Sequence, residues 1–144
     1  MKPSPELVLN HAFAKIAMEM GPALPPGYGQ GSATTTGVLL LMVAQEFNRA
    51  AAIRKAENDA MRSLFAEVST RFPAPLSDTL RMAAGGQDQD LLVPALDATN
   101  AALKKVLVEL HAVADATKDM ELDHRIVRLM QTWAERRQVL LPAM

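Results

Sequence analysis

Apolar residues recur every three to four positions along most of this chain, and the recurrence fails where Pro and Gly cluster. Between Pro5 and Met20, the residues Leu9, Ala12, Phe13, Ile16, Ala17 and Met20 fall on one stripe of a helix, with Lys15 and Glu19 outside it. Ser4 is the expected N-cap and Pro5 the first helical residue, a position where the missing N–H is not needed. Gly21-Pro22 should stop this helix. Residues 21–32, GPALPPGYGQGS, are too rich in Pro and Gly for a regular element and predict a loop, ordered only where Leu24 or Tyr28 packs back.

A second helix is expected to start within Ser32–Thr36 and to run to about Phe72. Val43, Phe47, Ala50, Ile53, Glu57, Met61, Leu64 and Val68 form its stripe, and Lys55 with Asp59, Glu67 with Arg71 and Arg54 with Glu57 stand at ion-pair spacing. At 1.5 Å per residue it would extend roughly 55–60 Å, long enough to bend or to protrude toward a partner. Pro73 and Pro75 end it, Leu76–Ala84 predicts a short helix stopped by Gly85-Gly86, and Asp88 or Asp90 is placed to cap the next. A third long helix spans about Leu91–Ala114, with Leu92, Leu96, Thr99, Leu103, Val106, Leu107, Leu110, Val113 and Ala114 on its stripe and Pro94 in its first turn. The last covers about Met120–Leu141, on Leu122, Ile126, Leu129, Met130, Trp133 and Leu140, with Arg136 and Arg137 at its C-terminal end and Pro142 beyond. Asp115–Asp119 contains neither Gly nor Pro, so a turn there competes with one continuous helix over 91–141.

No segment alternates with period two for long enough to make a strand, and no internal repeat persists. Amphipathic helices bury their stripes against one another. The fold class expected is therefore all-α: a four-helix, mostly antiparallel bundle with a long second helix, in a single domain over 1–144.

Composition narrows the function. Fifteen basic and 16 acidic residues balance to a net charge of −1, without the one-sided basic face that nucleic acid or an anionic membrane requires. There is no cysteine, which removes disulfides, thiolate catalysis and Cys-based zinc sites. MKPSPELVLNH lacks the apolar stretch of a signal peptide, and the longest apolar run, Val38–Ala44, falls far short of the ~20 residues that span a bilayer. A soluble protein of the cytoplasm is the default expectation.

Candidate chemistry is sparse. Glu121 and His124 stand at the Glu-x-x-His spacing of a helical carboxylate metal site, but the second pair is missing, because His11 and His111 have Val8 and Val108 three residues before them. His124 also lies beside its helix stripe, so a solvated face is the competing reading. Glu57 lies within the stripe of the second helix, where a carboxylate must find a partner or see its pKa rise. It could act as acid, base or ligand contact, or be neutralised by Arg54. The run GYGQGSATTTG could present backbone N–H groups to phosphate, but it has neither the Lys nor the preceding strand of a phosphate-binding loop. A connector is the simpler reading. No Ser-His-Asp or Lys-based catalytic set can be assembled, and nothing calls for a cofactor. Nine Met residues fit core filling or a surface adaptable to apolar ligands.

Val38-Leu39-Leu40-Leu41-Met42-Val43-Ala44 carries the most information. Seven successive apolar residues cover every side of a helix, and a helix apolar all round is normally buried all round. Either the first helix and the 21–32 segment enclose it, or a second subunit does. The expectation is a homodimeric, non-enzymatic interaction or accessory protein, with Leu39, Leu40, Met42 and Val43 at the interface or in an adjoining pocket with Phe47, Glu57 and Met61. The rival is a binder of, or enzyme acting on, a small apolar or acyl-type ligand in an inter-helix pocket, with Glu57 as its polar contact. A metal-binding bundle using Glu121 and His124 is a third and weaker expectation.

Overall fold

The computed structural model describes residues 2–140. It is all-helical, with no strand among the described residues. Helix α1 spans Pro5–Phe13, with Ser4 Oγ accepting from the Leu7 N–H at 3.2 Å, and continues into a π-helical segment, Ala14–Met20, and a helical turn, Gly21–Ala23. Then follow α2 (Tyr28–Val68), a 3₁₀ turn (Ser69–Arg71), α3 (Leu76–Gly85), α4 (Val93–Thr117) and α5 (Met120–Arg136). Among the described residues five helices therefore stand where four were expected, and a four-helix bundle is not established. None of the described helices is long and apolar enough to cross a membrane.

The largest departure from the sequence reading is in residues 21–32. Only 24–27, around Pro25-Pro26, leave the helical state, and α2 starts at Tyr28, before the expected Ser32–Thr36. Neither Leu24 nor Tyr28 packs back, since both are exposed. A glycine inside a helix costs about 1 kcal/mol against alanine, which three-dimensional packing can offset. Gly37 shows how: a Cβ there would lie 2.6 Å from the Ala17 Cβ, so the two helical segments touch backbone to backbone. The π segment was not legible in the apolar spacing either. Its wider turn is closed by the Gly21 N–H donating to the Ile16 carbonyl; Leu9, Ala12, Phe13, Ile16 and Ala17 of the expected stripe are half-buried, and Met20 is exposed.

The turn at 115–119 forms, and one continuous helix over 91–141 does not. Lys118 adopts the left-handed conformation (φ 56°), the Asp119 N–H donates to the Ala114 carbonyl at 2.9 Å, and Asp119 Oδ1 caps α5 by accepting from the Leu122 N–H. At the other end, α5 stops at Arg136, short of the expected Leu141, which lies outside the described residues. The Leu140 N–H and carbonyl are both taken by the Gln45 side chain, which holds that residue off the helical ladder.

The chain divides into two compact units, one of the described residues up to Ala50 with Val139 and Leu140, the other Ala51–Gln138. The second unit holds a contiguous core in which Met61, Phe65 and Val68 of α2 meet Leu80 of α3, Leu107 and Leu110 of α4, and Leu122 and Ile126 of α5. Ion pairs fix its directions. Glu57 and Glu67 of α2 and Arg71 of the 3₁₀ turn after it meet Arg137, Arg125 and Asp119, so α5 runs antiparallel to this part of α2. The first unit buries only Leu41, Ala44 and Ala50 among its apolar side chains, against fourteen in the second.

Candidate functional site

In the first unit, Gly37, Leu41 and Ala44 mark the buried side of α2. A residue turns about 100° per step, so Leu39 and Val43 project from the opposite side, with Tyr28 three turns earlier. Leu39 and Val43 are each 54% exposed, Met42 42% and Phe47 61%, while Leu40 is half-buried. The expected oily section is thus covered on one face only. Glu57 and Met61, grouped with these residues from sequence, lie in the other unit and are wholly buried there.

Glu57 belongs instead to a chain of polar side chains inside the second unit. Arg54, its expected partner, turns to Asp97 at 2.7 Å. Both Glu57 oxygens accept from Arg137, at 2.7 and 2.8 Å, and Oε2 also accepts from Asn100 at 3.1 Å, with Lys104 Nζ 3.5 Å away. Asn100 donates to Asn58 Oδ1 at 2.9 Å, Asn58 donates to Asp88 at 3.2 Å, and Asp88 takes a two-point pair from Arg62 at 2.9 Å each. Burial pushes the Glu57 carboxyl up, but Arg137, Lys104 and Asn100 outweigh it and hold the pKa below its ordinary value. The Arg62 hydrogen bonds lower that of Asp88 against its own burial, and Asp88 raises that of Arg62. The charges are paired and the carboxylate oxygens accept hydrogen bonds, the condition for keeping ions inside a protein, while the Arg62 Nε is buried without a hydrogen-bond partner.

The network carries a pH dependence of known sign. Both carboxylates have folded pKa values below their unfolded ones. Their contribution to stability is complete above the ordinary carboxylate range, about pH 4–5, and is lost as the pH falls through the lowered folded values. The urea midpoint, followed by the single tryptophan, Trp133, should drop between about pH 6 and pH 3. An unchanged midpoint would show that neither carboxylate is held ionised by the fold.

Other positions separate cleanly. Glu121 and His124 are exposed, and the described residues hold no cluster of three or more groups able to bind a metal. His111 Nε2 lies 2.7 Å from Asp123 Oδ1 and ties α4 to α5. Of the three ion pairs expected along α2, only Lys55–Asp59 forms, at 2.6 Å, because Arg54, Glu67 and Arg71 reach other elements. Of the run GYGQGSATTTG, only Gly27 lies in the turn and the rest is helical from Tyr28 on, so it does not form a connector.

Sequence reasoning found Glu57 but missed Asn58, Arg62, Asp88, Asn100 and Arg137. A signal for two of them was present: Asn100 shares a stripe with Leu96, Leu103 and Leu107, and Arg62 sits one turn from Asn58 beside Met61 and Phe65. Polar residues on two apolar stripes announce a buried contact, though not its geometry. Compared with family models, curated proteins and solved structures, the chain matches none.

Proposed function

We propose that this chain is a non-enzymatic interaction module that pairs with a second copy of itself through the exposed apolar face of the first half of α2. The observation that carries this reading is the contrast between the two faces of one helix. Gly37, Leu41 and Ala44 are covered, while Leu39, Met42, Val43 and Phe47 stay about half exposed in a unit with three buried apolar side chains. A pair of helices with so thin a core lacks the second layer that stabilises helical folds. Two such hairpins packed face to face supply it, so that four helices assemble from two chains.

Area supports the same reading. Four large side chains, each half exposed at roughly 200 Å² in full, offer on the order of 400 Å² per chain, about half of what a standard interface buries on each side. Tyr28, nearly fully exposed on the same side of α2, extends the face by three turns. A symmetric pair uses the same patch twice; its Leu39–Val43 section carries no charge, and Glu46 is the charge on that side before Phe47.

Sedimentation equilibrium of the natural chain should give twice the 15.6 kDa chain mass at tens of micromolar. Leu39→Glu with Val43→Glu should give the single-chain mass with an unchanged helical circular dichroism spectrum. A natural chain that stays monomeric at millimolar concentration refutes the proposal.

A further inference from the structure

Between Pro5 and Val68 the helical state is interrupted only at residues 24–27, within the sequence Leu24-Pro25-Pro26-Gly27-Tyr28. Leu24 has φ −80° and ψ 149°, the polyproline II conformation. Pro25 is kept out of the α region by the proline after it, as Leu24 is by Pro25. Neither proline has an N–H, and the carbonyls of Leu24, Pro25 and Pro26 accept no hydrogen bond among the described residues. Gly27, at φ 147°, then turns the chain into α2 in one residue, a backbone shape that disfavours any side chain. Tyr28 follows at the head of α2. Its side chain is 92% exposed, and residues 22–29 are exposed throughout.

Exposed prolines followed by an exposed aromatic ring are what aromatic-lined grooves read. Rings of the groove pack on prolines whose φ is already fixed, and its donors take the open carbonyls. Tyr28 adds a large contact surface that only two side-chain torsions have to order. No charged residue occurs between Glu19 and Glu46, so the segment has nothing to offer an ionic partner. Pro22 and Pro25 stand at the Pro-x-x-Pro spacing that other grooves read, but Pro22 lies in the helical turn Gly21–Ala23, so that stretch is not extended. The extended stretch is Leu24-Pro25, and Tyr28 stands two residues after Pro26. That order selects a groove that reads Pro-Pro-x-Tyr.

From these observations we infer that Leu24–Tyr28 is a docking site for a partner domain with an aromatic-lined groove of the kind that binds polyproline II. The groove packs on Pro25 and Pro26, donates to the carbonyls beside them, and takes Tyr28 as its anchor. Tyr28 precedes Leu39 by roughly 16 Å along α2. A domain seated on it leaves the section from Leu39 to Phe47 free, so the inference does not rest on pairing with a second copy.

The probe is a fluorescein-labelled WW domain that selects Pro-Pro-x-Tyr, titrated with the full chain and followed by fluorescence anisotropy. The natural chain should bind it saturably. Tyr28→Ala should bind about tenfold more weakly, with an unchanged helical circular dichroism spectrum. Pro26→Ala should bind several-fold more weakly, and Pro22→Ala, outside the extended stretch, as tightly as the natural chain. The same WW domain with its groove tryptophan replaced by alanine leaves the chain untouched and should lose the binding. Leu39→Glu with Val43→Glu should bind as the natural chain does. Absence of saturable binding by the natural chain overturns the inference, as does equal binding by Tyr28→Ala or by the altered groove. So does a loss of binding in Leu39→Glu with Val43→Glu, since the domain would then be held by the face assigned to pairing.

Discussion

Replacing Arg137 by methionine should lower the stability of the Ala51–Gln138 unit by about 3 kcal/mol, while replacing Glu57 by glutamine should cost distinctly less. The two residues form one ion pair, but they stand in different surroundings. The Glu57 side chain is fully buried, whereas that of Arg137 is 42% exposed. Without Arg137, a carboxylate stays inside the unit with only Asn100 and the more distant Lys104 to hold it, and it must either remain poorly compensated or take up a proton. Without the Glu57 charge, the guanidinium turns to water, and the neutral amide keeps its contact with Asn100. Arg137→Met with Glu57→Leu should recover much of the loss, because a buried pair replaced by apolar groups of similar volume is often neutral. Urea unfolding followed by the fluorescence of Trp133, which is buried in the same unit, reads all three variants. Equal losses for Arg137→Met and Glu57→Gln would show that the pair acts as a surface contact and not as a compensated buried charge.

The second large effect is a change of sign between two chemically identical substitutions. Gly31→Ala should stabilise by about 0.5–1 kcal/mol, and Gly37→Ala should destabilise by about 1–2 kcal/mol, the difference between overpacking and helix propensity. Both glycines lie in α2. A Cβ at Gly31 meets nothing within 4 Å, so alanine there only reduces the freedom of the unfolded chain. A Cβ at Gly37 would lie 2.6 Å from the Ala17 Cβ, 3.1 Å from its nitrogen and 3.2 Å from its Cα. Two of those atoms are backbone and cannot rotate away, so the π segment and α2 must separate. The first unit buries only three apolar side chains and has little to resist that separation. Hydrogen exchange should show the protection of residues 5–20 falling in Gly37→Ala and rising or holding in Gly31→Ala, with the 51–138 core unchanged in both. Faster exchange across the core in Gly37→Ala would instead make the two units one cooperative body.

These results bear on what is legible in a sequence. Helices α3, α4 and α5 begin within two residues of where their caps, prolines and apolar spacing place them, because the signals at those boundaries are local: Pro75 before α3, Pro94 in the first turn of α4, Asp119 at the head of α5. The surplus of oil at Val38–Ala44 was legible for the same reason. A 100° step cannot put seven successive apolar residues on one side, and the structure leaves Leu39, Met42 and Val43 uncovered. Local signals misled at residues 21–32, where a Pro- and Gly-rich composition argued for a loop. There the small size of Gly21, whose added Cβ would lie 3.5 Å from Thr34 Oγ1 and 3.7 Å from the Ala33 Cβ of α2, lets two segments lie close, as Gly37 does further along, an advantage that exists only once they meet.

The chain's own order of residues determined that it is helical, where most helices begin, and that one helix has more apolar surface than one neighbour can cover. All of these follow from torsional preference and periodicity, which act over a few residues. The tertiary structure alone decided that Glu57 meets Arg137 eighty positions away, that Asp88 pairs with Arg62 and caps no helix, and that Gln45 takes hold of Leu140. Such pairings depend on which side chains packing brings within about 3 Å of each other. A charge or an amide carries no mark of its partner until the backbone has folded.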